Sequence, residues 1–480
     1  MDVHDAVVVG SGAAGGWAAK ALCERGANVL LLDAGRAIDP RRDYPLPAPP
    51  ERPLATRLAA ALRGQRVQLR CAQFNARSRR FFVNDRENPY TTPAGSPFNW
   101  FRGQQLGGRL HVWSRVALRL TDRELEEWPL AYDDLAPYYD EVEAFMGVRS
   151  VRLTPAEERF RAAVAGSASV DAVRRAAHDL HRIPATIRAA DATGRLTLRT
   201  GAVVRRLRAG RPVTVEFVDR RTRVAEEARA RVVVLCASTI ETLRILLGSG
   251  IGGGSGRLGC FVMDHVMSGL GGPLADADGV DAPADPYDFG SATGFVVHRD
   301  GFAIQGGIGR SGSSWYMMAH GRMGARRENR VTLDRATDAW GVPIAHIACA
   351  HSPADAALAS EQLEAMHELA ATAALTVATP PSGRRLDALV FKLARRRLLS
   401  PSGAFLPGSA AHEIGGAAIG RDPRSSVADP WGRVWDADNI VVADGAMFPT
   451  GCSQNVGLTI AALGLRAARH VAEELDADRL

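Results

Sequence analysis

The chain has 480 residues, 46% of them hydrophobic, and a mean hydropathy of -0.09, which excludes a largely disordered protein and supplies apolar material for two lobes. Its formal charge of +6 is dispersed and almost wholly arginine, with lysine only at 20 and 392. The basic runs RRLRAGRP (205–212) and KLARRRLL (392–399) lack interleaved aromatics, so both are expected to be solvated faces and no nucleic-acid partner is implied.

Acidic residues stand where an export signal would be basic. No apolar stretch approaches the roughly 18 residues of a membrane span. A soluble, cytoplasmic protein with no membrane partner is expected. The six cysteines form no C-x-x-C pair, so no metal site and no disulfide framework is expected.

The opening DAVVVGSGAAGGWAAKALCERGANVLLLDAG reads as a strand (Ala6 to Val9), a glycine turn, a helix from about Ala14 to Arg25 stopped by Gly26, and a second strand (Asn28 to Leu32). Gly10, Gly12 and Gly15 fit G-x-G-x-x-G: one glycine for the turn, one for close approach to a pyrophosphate, one for helix–strand packing. Unpaired N–H groups at the helix start face the phosphates. Asp33 lies 18 positions after Gly15; it can accept from both ribose hydroxyls and disfavours a 2′-phosphate. A dinucleotide is the expected ligand.

RAIDPRRDYPLPAPPERP (36–53) reads as a surface connector. From 266 to 405 the texture changes: GFVVHRDGFAIQGGIG suggests antiparallel strands, and 355–375 has amphipathic helical spacing. NIVVADG (439–445) is a buried parallel strand by composition, and a helix follows from Val456 to Leu475. Strand, loop and helix at the end of the chain complete a doubly wound sheet begun at residue 5.

Six blocks in order resemble those of the glucose-methanol-choline (GMC) oxidoreductases, a family of FAD-dependent alcohol oxidases and dehydrogenases. FNWFRGQQLGGRLHVWSR (98–115) is similar to the family's second glycine block, along flavin and pyrophosphate, and RTGAVVRRL (199–207) to the strand at the adenine end. ARVVVLCASTIETLRILLGSG (230–250) and LGCFVMDH (258–265) resemble the following strand–turn–helix and the return from the flavin domain. NRVTLDRATDAWGVPIAHI (329–347) resembles a substrate-domain hairpin of bacterial members acting on sugars and polyols. HEIGGAAIG and the segment through CSQNVGLTIAAL (412–463) form the most diagnostic block.

The resemblance implies an α/β fold: an FAD-binding Rossmann-like doubly wound domain (1–38, 98–150, 195–265, 406–480) with a second, antiparallel-sheet substrate domain (39–97, 151–194, 266–405). It implies FAD contacts at Gly10, Gly12, Ala13, Ala14, Gly15, Asp33, Ala34, Gly107, Gly108, His111, Val112, Val203, Val204, Ala237, Asp444, Gly445, Asn455 and Val456. His412 matches the catalytic base and Asn455 the residue that orients the substrate hydroxyl, a His-Asn pair; in isolation they would read as a core histidine and a helix cap.

Relatives that attach FAD covalently carry a histidine where this chain has Val112, His111 standing one position early, so non-covalent FAD is expected. The expected substrate is a sugar, glycoside or aminocyclitol alcohol, with Trp315, Tyr316 and His346 as candidate contacts and oxygen or another carrier as electron acceptor. A sterol-like alcohol, or a lyase retaining FAD as a relic, are the alternatives.

Overall fold

The computed structural model describes residues 3–179, 181–274, 285–310, 312–378 and 398–480. Most of the basic run 392–399, Lys392 included, lies outside the described residues. The other, 205–212, is a solvated hairpin face on which Arg206 and Arg208 pair with Glu216 and Glu227.

The elements that position the site are, in chain order, β1 (Val3–Val9), α1 (Ala13–Glu24) and β2 (Val29–Asp33); α2 (Tyr132–Met146) and α3 (Ala185–Ala192); β3 (Leu196–Thr200), β4 (Ala202–Arg208), β5 (Val213–Asp219), β6 (Ala225–Leu235) and α4 (Thr239–Ser249). There follow β7 (His265–Pro273), β8 (Phe295–Arg299), β9 (Phe302–Ile308) and β10 (Ser314–Arg322); β11 (Arg330–Thr337), β12 (Pro343–Ala348) and α5 (Pro353–Thr372); and β13 (Ala437–Val442) and α6 (Gly457–Asp476).

The first sheet holds five parallel strands in the order β13–β6–β1–β2–β3. Val7, Val8, Val232 to Leu235 and Ile440 to Val442 are fully buried, as continuous apolar strands covered on both faces must be. The β4–β5 hairpin returns antiparallel onto β6. Beginning and end of the chain meet where α6 crosses α1: a Cβ on Gly464 would stand 2.9 Å from Ala14 Cα.

The second sheet is antiparallel, β7–β10–β9–β8. Because side chains alternate, Phe295, Val297, Phe302, Ile304, Trp315, Met317 and Ala319 share one core with Met366 and Leu369 of α5. Gln305, Met318 and His320 fall on the other face.

Two expectations are corrected here. The connector 36–53 is not all surface: Asp43 is buried and bound by Arg36 and Arg42, and Tyr44 joins an apolar cluster with Phe81, Phe101 and Tyr287. The hairpin β11–β12, assigned by resemblance to the substrate domain, packs on α4, and Trp340 from its tip clusters with Val203 and Val218 of β4 and β5.

Gly464→Val forces a branched side chain into the α1–α6 contact. It should lower the thermal midpoint by the equivalent of about 1–3 kcal/mol, read by thermal denaturation against Gly464→Ala, which should lose less.

Candidate active site

A cavity of about 640 Å³ runs from the first glycine turn to the loop carrying His412. It is lined at one end by Gly10, Gly12, Ala13 and Ala14, then by Asp33 and Ala34, by Gly108, His111 and Val112, and by Val203, Val204 and Ala237. Asp444, Gly445 and Val456 line it from the C-terminal segment, and His412 closes the far wall. Gly15 and Gly107 are not part of the lining. A Cβ on Gly15 would collide with the Gly10 carbonyl, so its role is packing. Gly107 (φ +89°) has no room either, since its Cβ would lie 2.8 Å from His111 Nε2.

The first end fits a dinucleotide. A Cβ on Gly12 would meet nothing within 4 Å, and one on Gly108 would meet only Gly12 Cα at 3.8 Å; two glycine backbones thus face each other across open space. α1 has no side-chain N-cap and no acid in its first turn, leaving its N–H groups and the positive end of its dipole for an anion. Asp33 is held ready: Oδ1 accepts from Gly35 N–H at 2.6 Å and Oδ2 from Ser11 N–H at 2.9 Å. Ser11 Oγ–H donates to the same carboxylate while accepting from Gly107 N–H at 2.8 Å. Burial pushes the Asp33 carboxyl up from its ordinary value.

Trp340 also lines this part of the cavity, beside Val203 and Ala34. Ser11 and Trp340 were not singled out from sequence; Ser11 sat inside the glycine motif, whereas Trp340 is brought in only by tertiary folding.

His111 lines the wall with both ring nitrogens engaged. Nε2–H donates to Leu106 C=O at 2.6 Å, which fixes the tautomer, and Nδ1 accepts from Tyr44 O–H. Phe81 stacks on the ring. Burial drops its pKa to about 4, so it stays neutral.

At the other end, Asp264 of the segment preceding β7 clamps the His412 loop, accepting from Ala410 N–H and His412 N–H, each at 3.2 Å. Met263 and Ile414 exchange backbone bonds of 2.9 and 3.0 Å alongside. His412 is ringed by imidazoles: His265 with centroids 4.9 Å apart and His320 at 6.1 Å. Its Nδ1 is sealed with no partner among the described residues, leaving Nε2 as the nitrogen that reaches the cavity.

Burial first, then His265, His320 and Arg109, drives the His412 pKa well below its ordinary value. Burial likewise takes His265 to about 4 and His320 to about 3. The adjacent Glu413 supplies no counter-charge to the ring, because it pairs with Arg109 at 2.9 Å. The three histidines are no metal site: among the described residues no His, Cys, Asp or Glu group is arranged to hold an ion.

The loop before α6 is anchored by Glu124, which accepts from Ser453 N–H at 2.7 Å and Ser453 Oγ–H at 2.8 Å. Backbone of Cys452 and Gln454 lies beside His265, so that ring stands between the His412 loop and this one. Asn455 does not line the large cavity. It is buried against the second sheet, where its Oδ1 accepts from Gln305 Nε2–H at 2.5 Å. Gln454 reaches His298 at 3.4 Å, a loop amide with its own partner. Gly457 lets α6 begin against Trp113, whose ring would stand 3.3 Å from a Cβ there.

The candidate substrate contacts separate. Trp315 is a core residue whose Nε1–H donates to Thr376 C=O at 2.9 Å. One residue on, Tyr316 shares the strand face of His320 and bonds Thr293 Oγ1 at 2.7 Å. His346 is held by Thr91 at 2.8 Å on the β11–β12 hairpin. None of the three lines the cavity; for Trp315 and His346 the strand direction turns the side chain elsewhere.

Residues 325–464 match the sequence profile of the family described as GMC oxidoreductase. The chain is 28% identical to 6'''-hydroxyparomomycin C oxidase of Streptomyces lividus, covering 99% of this chain and 93% of that protein. It is 24% identical to 2-methyl-1,2-propanediol dehydrogenase of Mycolicibacterium austroafricanum, covering 98% and 95%.

The chain thus resembles the GMC oxidoreductases, most directly over residues 325–464. It is an enzyme that oxidises alcohol groups. The GMC fold is matched along its length by pyridoxine 4-oxidase from Mesorbium loti (TM-score 0.68, 19% identity, 97% of this chain and 99% of that one). Formate oxidase of Aspergillus oryzae matches equally fully (TM-score 0.71, 15% identity, 98% of each chain). No helix among the described residues is long and apolar enough to cross a membrane.

Proposed function

We propose that this enzyme uses FAD to oxidise a secondary or primary hydroxyl of a sugar, glycoside or aminocyclitol, with His412 as base and Asn455 orienting the hydroxyl. One observation carries the reading. A histidine with a sealed Nδ1 and a depressed pKa closes the end of a cavity that starts at a dinucleotide cradle. FAD, when bound, supplies the hydride acceptor. Gly10, Gly12, Gly108 and the start of α1 would hold its pyrophosphate, Asp33 its ribose, and Val203, Ala34 and Trp340 its adenine.

His412 Nε2 takes the hydroxyl proton. Asn455 gives an N–H to the same oxygen as it gains negative charge, stabilising that charge without competing for the proton. An aspartate at 455 would repel the developing charge instead. The start of α6, which carries no acid in its first turn, adds a positive dipole end beside the site. The sugar and aminocyclitol class rests on the aminoglycoside and diol named for the two relatives above, and on Paromamine 6'-oxidase of Streptomyces fradiae, 26% identical over 98% of this chain and 92% of that protein.

His111 has no ring nitrogen to spare and Val112 has no nucleophile, which supports a non-covalent flavin. Acid precipitation should therefore leave the flavin in the supernatant; a coloured pellet overturns that part.

The decisive experiment screens sugars, paromamine and sterols for anaerobic bleaching of the flavin, then admits air to separate an oxidase from a dehydrogenase. Bleaching by sugars or paromamine is expected, and bleaching by sterols alone would replace the substrate class. His412→Ala should slow reduction about 100- to 10,000-fold while FAD stays bound, and equal rates would remove His412 from the mechanism.

The pH profile gives a separate check. The base must be neutral, and burial with three positively charged or chargeable neighbours, His265, His320 and Arg109, holds it neutral as pH falls. The reduction rate should stay level from pH 8 down through 6.5, its acid limb appearing well below the ordinary histidine value. A limb centred near 6.5 would contradict the geometry.

A further inference from the structure

The hydrogen bond between Gln305 and Asn455 joins a carboxamide of the second sheet to one on the loop before α6. Gln305 stands on β9, on the face turned away from the apolar core, between Val296 of β8 and Met318 of β10 in register. Those neighbours offer no hydrogen bond. Both amides are nearly sealed, Gln305 at 4% exposure and Asn455 at 5%, and they meet at 2.5 Å, Nε2 to Oδ1. Asn455 Nδ2 has no partner among the described residues and is not among the sealed unbonded atoms.

An asparagine amide is nearly symmetric in shape, so packing alone does not decide whether it offers N–H or C=O at a given spot; the partner does. We propose that Gln305 is a positioning residue that sets the polarity of Asn455: by donating to Oδ1 it turns the Nδ2–H group out as the one that meets the substrate oxygen. This rests on the catalytic reading of Asn455 given above and goes beyond it by naming what aims that residue. Gln305 touches neither substrate nor cofactor in this role. Its effect passes through one hydrogen bond, and a second sheet contributes to the site by fixing which end of an amide faces the reaction.

The consequence is a sign. With N–H outward, Asn455 stabilises charge building on the substrate oxygen; with C=O outward it repels that charge and competes for the hydroxyl proton. An apolar side chain at 305 leaves the amide free to turn. A carboxyl there keeps the native polarity while protonated, since its O–H donates to Oδ1, and reverses it when ionised, since it then only accepts.

The test uses the FAD-loaded protein. Gln305→Met should slow anaerobic flavin reduction by paromamine or by 2-methyl-1,2-propanediol about 10- to 100-fold, and the loss should vanish when made on top of Asn455→Ala. Gln305→Glu should reduce at a rate that falls as pH rises, where the parent stays level. Thermal midpoints, which need no alcohol, should show the same coupling: Gln305→Met lowers the midpoint in the parent and less so in Asn455→Ala.

Coupled midpoints with a Gln305→Glu rate that falls as pH rises support the proposal. Uncoupled midpoints, losses in rate that multiply, or a Gln305→Glu rate that stays level or rises with pH overturn it. If Asn455→Ala itself reduces at the parent rate, the catalytic reading falls together with it, whereas a slow Asn455→Ala with multiplying losses overturns the role of Gln305 alone.

Discussion

The constraint on which the site depends is the crossing of α1 and α6 at Ala14 and Gly464, where no side chain fits. The first residues of the chain make the phosphate cradle and the last make the loop of Asn455, and the crossing brings the two helix starts to one cavity. Gly15 serves the same end by letting α1 lie directly on the Gly10 carbonyl. Both contacts are backbone-to-backbone, so they are rigid in the way close-packed interiors are, and a shift in either would carry a wall of the cavity with it. Asp264 extends this rigidity to the far end by tying two loop amides, Ala410 and His412, to the segment that leads into the second sheet.

Electrostatically the far end is unusual in that both of its acids are already engaged. A histidine beside a free carboxylate is held protonated more readily; here Glu413 is taken by Arg109 and Asp264 by backbone N–H groups. What surrounds His412 instead are two further imidazoles, themselves kept neutral by burial. Positive charge is therefore disfavoured on each of the three rings.

Much of the architecture was legible in the chain because it is written in short-range pattern. The opening strand–turn–helix–strand, the strand and helix at the end, the β8–β9 hairpin and the helix near 355–375 all follow from local periodicity and glycine placement. What was not legible depends on partners distant in sequence. Asp43 looks like a loop residue until Arg36 and Arg42 fold over it. Trp315 and Tyr316 are neighbours in a strand, and which of the two faces the core is set by register with β9, not by residue type. His346 was read as a substrate contact because the hairpin resembled one, yet the hairpin packs on α4 and gives Trp340 to the cavity. Gln305 carried no signal, since a glutamine between two glycine-rich stretches has nothing in its own segment to mark a partner 150 positions away.

An amide at 455 narrows the possible path of the proton. A carboxamide does not ionise, so under the proposed assignment the hydroxyl proton has one acceptor, His412. The burial that keeps His412 neutral before reaction also makes its protonated form unfavourable afterwards. His265 and His320 offer little relief, because burial opposes charge on them as well. With Nδ1 sealed, the proton can depart only from the nitrogen that received it, back toward the cavity. Acceptance and release then share one door, and His412 is returned to its neutral state by the low polarity that made it a base.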